Sequence, residues 1–285
     1  MKASTLATFA RWGNWPLLRA LRRSALALTG AGVLLFWTLL ALAAPWITPY
    51  DPLALDFSGQ LEHAPSAKHW LGTDALGRDM LARIMFGART MFAVVPLAVG
   101  SAFLVGAAMG AIAGYAGGLL DQLVSRASDV MLAFPALIIY VILLTSLGPS
   151  LINIVIAVTL AYAPGVSRLA RGQVLAIKEM DYVKAAEARG DHPLSIILFE
   201  IMPNARGPLV VDLCLRAGYT VILTGTLGFL GLGLPPPTPD WGGMVVENTQ
   251  LLSTHWHMAV LPCAAIVSVV VACNFLADGL REEAQ

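Results

Sequence analysis

The sequence predicts an all-α integral membrane protein of about six spanning helices, with a polar helical hairpin between the fourth and fifth. Three observations predict it. The 285 residues are 57% hydrophobic and only 13% charged, about half the charged fraction of an ordinary soluble domain. The apolar residues gather into runs close to the roughly twenty that cross a bilayer as a helix. Lysine and arginine cluster in alternate connecting segments, the asymmetry that sets orientation in membrane proteins.

The first run, Ala25–Ile47, follows Arg19, Arg22 and Arg23 and ends near Ala41-Leu42-Ala43. It mimics a secretory signal, but its length suits an uncleaved span better than a shorter signal core. The next candidates are Met91–Ala113, Val130–Leu147, Leu151–Val166, Pro208–Leu230 and Met258–Ala277. Only Gly148-Pro149-Ser150 separates the third from the fourth, so those two form a tight hairpin. Gly106, Gly110 and Gly114 recur every four residues through the second run to the position just after it. Small residues at that spacing let helix backbones approach where lipid supplies no hydrophobic drive, although glycine is also simply common in membrane helices.

With the N-terminus placed in the cytoplasm, the inner segments carry Arg126, Arg168, Arg171, Lys178, Lys184, Arg189, Arg206 and Arg281 besides the N-terminal cations. The outer segments carry Lys68, Arg78, Arg83 and Arg89. Both termini then lie inside. The expected organisation is a cytoplasmic segment at 1–24, a first span at 25–47, an external loop at 48–90, a core at 91–280 and a short inner tail at 281–285. A second external loop, Pro235–Trp256, carries Trp241 and Trp256 as interfacial residues.

The segment between the fourth and fifth runs is charged. Tyr182, Ala185, Ala186 and Arg189 fall on one helical stripe, and its small middle suits close contact with another protein. Gly190 suits a C-cap, Asp191 or His192 an N-cap with Pro193 in the first turn. Leu194, Ile197, Leu198 and Ile201 form a second stripe, which Pro203 is expected to end. A solvated loop is the alternative, but the segment is long for a simple connection.

Several stretches resemble one family. Ala185-Ala186-x-x-x-Gly190 with Ile201-Met202-Pro203 resembles the EAA loop of ABC-transporter permeases. "GTDALGRD", Gly72 to Asp79, lies within a longer stretch similar to the first external loop of dipeptide, oligopeptide and nickel permeases. "DVMLAFP" (Asp129–Pro135), "LGFLGLGLPPPTPDWG" (Leu227–Gly242) and "NFLADGLRE" (Asn274–Glu282) follow in the order seen in the shorter, C-type permease.

The resemblance implies the type I ABC importer permease fold, with 181–203 as a coupling helix docking on a cytosolic ATPase. The implied coupling residues are Tyr182, Lys184, Ala185, Ala186, Glu187, Arg189, Gly190, Ile201 and Pro203. The implied external signature comprises Gly72, Thr73, Asp74, Gly77, Arg78, Asp79 and Arg83. Lys184 stands where the family usually has Glu, so a salt bridge carried by that Glu has no counterpart here, whereas the small-residue face is kept. The implied partners are a homologous second permease, two cytosolic ATPase subunits, an external solute-binding protein and the bilayer of a bacterial inner membrane. Short peptides are the implied solutes, with nickel chelates as the alternative.

Other chemistry has little to stand on. No G-x-x-x-x-G-K-[ST] phosphate loop is present, so no cofactor is expected on this chain, and ATP and Mg belong to partner subunits. Zero formal net charge gives no bulk attraction to nucleic acid. Cys214, Cys263 and Cys273 sit in apolar runs and read as small buried hydrophobes. His255 and His257 lack a third ligand. Asp74, Arg78 and Asp79 suit a gate or a loop-fixing ionic cluster. Asp212 and Arg216, four apart in the fifth run, are open to two readings: a self-neutralising pair, or the lining of a cavity that meets solute or sister permease. An ion-driven carrier would favour acids near the bilayer centre and inverted repeats, and most of these runs lack central acids. An intramembrane enzyme would need a nucleophile–base set, and the sequence offers none.

Overall fold

A computed structural model describes residues 20–21, 23–55, 64–235 and 238–284. The expected N-terminal segment 1–24 falls largely outside these residues, as do 56–63 of the 48–90 segment, Pro236, Pro237 and Gln285. Every extended regular element among the described residues is helical, and an isolated Thr73–Asp79 bridge is the one β pairing there.

The first helix, α1 (Ala25–Ile47), starts at Ser24, whose Oγ accepts from the Ala27 amide. Gly30 lets it close on the last helix, because a Cβ there would lie 2.9 Å from the Leu276 amide nitrogen.

Helix α2 (Met80–Ala116) begins earlier than the apolar run suggested. Asp79 caps it by accepting from the Ala82 amide at 2.7 Å, so the segment expected as loop up to residue 90 contributes α2's first turns. Thirty-seven residues make a rod of roughly 55 Å, well beyond the roughly 30 Å of hydrocarbon. Gly117, at φ 67°, ends it.

The expected span Val130–Leu147 is broken. Helices α3 (Gly118–Leu132) and α4 (Ala136–Leu147) meet at 83° across Ala133–Pro135. Pro135 lacks an N–H and disfavours helical geometry at Phe134, which explains the break. Twelve residues give α4 only about 18 Å. Among the described residues five helices are long and apolar enough to cross a membrane, six if the bent pair counts as one span.

Helix α5 (Leu151–Lys178) is capped by Ser150 and forms the most extensive helix pair with α2. The Gly106–Gly110–Gly114 ridge lies at this seam: a Cβ on Gly106 would overlap Ala163 and Val166, and one on Gly110 would overlap Ser167. Ser101 and Thr159 hydroxyls bond across the same seam at 2.6 Å. After α6 (Asp181–Ala188), helix α7 runs unbroken from Pro193 to Phe229. The short α8 (Trp241–Glu247) precedes α9 (His257–Ala284), which packs between α1 and α7.

Two residue expectations are corrected. Trp241 is not interfacial but fully buried, its ring edge-on to Trp37 and its Nε1 donating to the Ile84 carbonyl at 3.0 Å. Gly87 makes room for it, since a Cβ there would lie 2.6 Å from the indole. Cys273 is buried as expected, whereas Cys263 is exposed on α9 because its position faces away from the neighbouring helices.

Candidate functional site at the two ends of the bundle

At one end, α6 stops at a capping motif built on Gly190. The Gly190 amide bonds the Glu187 carbonyl and the Asp191 amide reaches the Ala186 carbonyl. This paired pattern requires a left-handed residue, and Gly190 has φ 76°. Of the two expected N-caps for the next helix, His192 takes the role: its Nδ1 accepts from the Leu194 amide, with Pro193 following.

Pro203 does not end the second helix. The backbone widens into a π turn over Ile196–Ile201, and the Met202 amide bonds back to the Ile197 carbonyl. A π turn shifts the hydrogen-bond ladder by one residue, which accommodates a proline that cannot donate, and the helix continues.

The hairpin's inner side is welded to the bundle. Val183 and Ala186 are buried with Ile196, Ile197 and Ile201 against Ala111 of α2 and Val174 of α5. The expectation of an outward Ala185–Ala186 face is therefore half wrong: 3.6-residue periodicity turns Ala186 into the protein's own core and leaves Ala185 outside. The exposed side carries Tyr182, Lys184, Ala185, Glu187, Arg189 and Gly190, continued by Leu194, Leu198 and Phe199. The second expected stripe likewise divides, Ile197 and Ile201 inward, Leu194 and Leu198 outward. Lys184 pairs with Glu179 at 3.0 Å, Arg189 with Asp191 at 2.8 Å, and Glu187 accepts from the Tyr115 hydroxyl at 3.0 Å.

At the opposite end, "GTDALGRD" folds into a tight loop with Gly72 and Gly77 at φ 78° and 79°. Asp74, fully buried, accepts from the Leu76 and Arg78 amides, both 2.9 Å, and from Arg78 Nε at 2.6 Å. Arg83, one turn into α2, also bonds Asp74. Glu247 on α8 closes the cluster, 2.5 Å from Arg78 and 2.7 Å from Arg83. Asp79 accepts an amide through one oxygen and meets His69 Nδ1 at 2.8 Å through the other. The Ala75 amide donates to the Asn248 side chain at 3.1 Å.

The loop residues named from sequence thus come together, Thr73 pairing across to Asp79. Glu247, Asn248 and His69 were missed. Glu247 carried a faint signal as an acid in an otherwise apolar stretch, but its partners lie more than 160 residues away. Beside the cluster is a cavity of about 300 Å³ lined by Arg83, Gly228, Gly233, Asp240 and Glu247 among others. Asp240 caps α8, accepting from the Gly243 amide. Burial pushes its carboxyl up to about 6, with Glu247 adding in the same direction and Arg83 opposing.

Between the ends, Asp212 and Arg216 form an ion pair on α7 at 2.6 Å, and the guanidinium lies 5.5 Å from the Tyr162 ring centre on α5. Among the described residues no three His, Cys, Asp or Glu side chains gather as a metal site.

Residues 106–282 match the family described as binding-protein-dependent transport system inner membrane component. The chain belongs to that family. Residues 15–65 match a second description, the N-terminal TM domain of oligopeptide transport permease C. A dipeptide transport system permease protein of Alkalihalophilus pseudofirmus is 37% identical over 264 residues, 93% of this chain and 86% of the relative. A glutathione transport system permease protein of Escherichia coli O157:H7 is 36% identical over 93% of this chain and 87% of its own. The "Probable D,D-dipeptide transport system permease protein" of Escherichia coli K12 is 34% identical over 95% and 91% respectively.

The permease is therefore a multi-pass membrane transport component. The match 106–282 contains the hairpin, the Asp212–Arg216 pair and the Glu247 side of the ionic cluster. Residues 66–105, which hold the cluster's other side, lie between the two family matches.

Proposed function

We propose that this permease forms half of the pathway of an ATP-driven importer of short peptides, paired with a homologous permease, with both termini and the hairpin on the cytoplasmic side. Two ATPase subunits supply the energy, ATP and Mg residing on them, and an external solute-binding protein delivers the solute to the opposite end. The peptide class follows from the relatives' names, which speak of dipeptides, D,D-dipeptides and glutathione.

The observation that carries the coupling role is the hairpin's two-sidedness. Its inner face is packed into α2, α5 and α7, while on the outer face Ala185, Leu194 and Leu198 are exposed among the described residues. An element rigidly joined to three long helices transmits a push to all of them, which is what a two-state transporter driven by a partner needs.

The test is the complete importer with cysteine at Ala185. Crosslinking to an ATPase subunit is expected. Ala185→Trp is expected to lower uptake per ATP at least tenfold with the complex intact. A crosslink to the external binding protein instead would overturn the assigned sidedness and the coupling role together.

A further inference from the structure

We infer that Asp212 and Arg216, with Tyr162 and Tyr219, form a station on the translocation path that receives the zwitterionic ends of a peptide, ammonium on Asp212 and carboxylate on Arg216. This deepens the importer reading above and rests on it.

The pair lies deep in the span. Arg216 lies ten residues beyond Arg206 and thirteen before the end of α7 at Phe229, roughly 15 Å and 20 Å along the helix axis. Charges so far inside a span are costly against lipid, and they face protein or a water-filled space. Both side chains are about one-fifth exposed, so neither is sealed in the bundle. Tyr219, one turn further on, is 60% exposed.

Arg216 also has valence left over. Arg216 engages Asp212 through Nε and Oδ2. Its two terminal nitrogens lie against Gly165, where an added Cβ would sit 2.9 Å from Nη2, so the missing side chain is what makes room for the guanidinium. The guanidinium also faces the Tyr162 ring, which in turn packs edge-on against Tyr140. The cation is thereby held in a fixed plane by an aromatic wall and a glycine notch, and its fork suits a carboxylate.

The pair also stays neutral. An i, i+4 pair balances itself while the site is empty. A zwitterion brings one charge of each sign, so exchanging partners leaves the site neutral throughout and never strands a bare charge in a low-dielectric setting. A singly charged solute would leave one member uncompensated.

The test uses the complete importer in proteoliposomes, with dialanine, N-acetyl-dialanine and dialanine amide as probes. Uptake per ATP is measured for wild type, Asp212→Asn, Arg216→Gln, Arg216→Lys and Tyr219→Ala. The same binding protein is present throughout, so its own preference cancels in each variant-to-wild-type ratio. Asp212→Asn is expected to lower dialanine uptake at least tenfold and the N-acetyl derivative much less. Arg216→Gln is expected to show the complementary pattern with the amide, and Arg216→Lys to recover part of the loss. Binding-protein-stimulated ATPase activity is expected to persist.

Equal losses for all three probes would reduce the pair to a brace and overturn the inference, as would unchanged dialanine uptake. Failure of the permeases to assemble when either charge is neutralised would make the pair a subunit interface and also overturn it. Absence of ATP-driven dialanine uptake in the wild type would instead sink the peptide-importer reading on which the inference rests.

Discussion

Asp240 shows how one buried side chain is tied to its surroundings. It caps α8 and lies against Gly228 and Gly233; a Cβ at Gly233 would sit 2.6 Å from its Oδ2. Its carboxyl is raised from 3.8 to about 6, first by burial. The folded state then holds the proton more tightly than the unfolded chain, so this group's contribution falls as pH rises from about 4 to about 6. The span of that change is about 3 kcal/mol. In detergent, Asp240→Asn is expected to flatten the loss of thermal stability between pH 4 and 7; an unchanged pH profile would place the slope on another group. None of this was legible from sequence, where Asp240 was merely part of a resembling stretch. Desolvation is created by neighbours brought from α7.

At the scale of an element, the hairpin separates two neighbouring alanines with opposite duties. Ala186 is in the core with Val174, Val183 and Ile196, and Ala185 is outside. Ala186→Glu buries a charge without a partner and is expected to expose the Asp181–Ile201 segment to protease in the purified permease. Ala185→Glu is expected to leave the digestion pattern unchanged. Equal protection in both variants would contradict the packing described. The sequence showed the hairpin, its start at Asp181 and its glycine cap at Gly190 through local chemistry, but not where its second helix ends. It could not show which side faces inward, because the stripe Tyr182–Ala185–Ala186–Arg189 spans the boundary between the two faces. The π turn was hidden for a related reason: Pro203 forbids one hydrogen bond, and whether the chain stops or widens there depends on the Ile196–Ile201 contacts beneath it.

For the whole molecule, the ionic cluster joins the start of α2 to α8 across most of the chain's length. Asp74 has no exposed surface and accepts from two arginines that are themselves buried. Asp74→Ala leaves those cations paired with Glu247 and removes the acceptor for two amides. The expected cost is about 3–5 kcal/mol, read as a lowered thermal midpoint of the purified permease. Asp74→Ala with a midpoint near that of the wild type would mean the cluster is not a structural tie. The α2–α5 seam is the other long-range joint, and here the Gly106–Gly110–Gly114 spacing was a sound guide. Backbone approach depends on what is absent at fixed intervals, and that is written in one segment alone.

The sequence by itself determined the membrane class, the approximate place of five of the apolar helices, the hairpin and the loop signature. Each depends on residues within a few turns of one another: run length, glycine position, a capping side chain. Only the tertiary structure decided that Trp241 is interior, that Glu247 completes the cluster and that Ala186 turns inward. Those outcomes depend on which distant surface arrives opposite a given residue, and burial and charge pairing take their value from that partner rather than from the residue's neighbours in the chain.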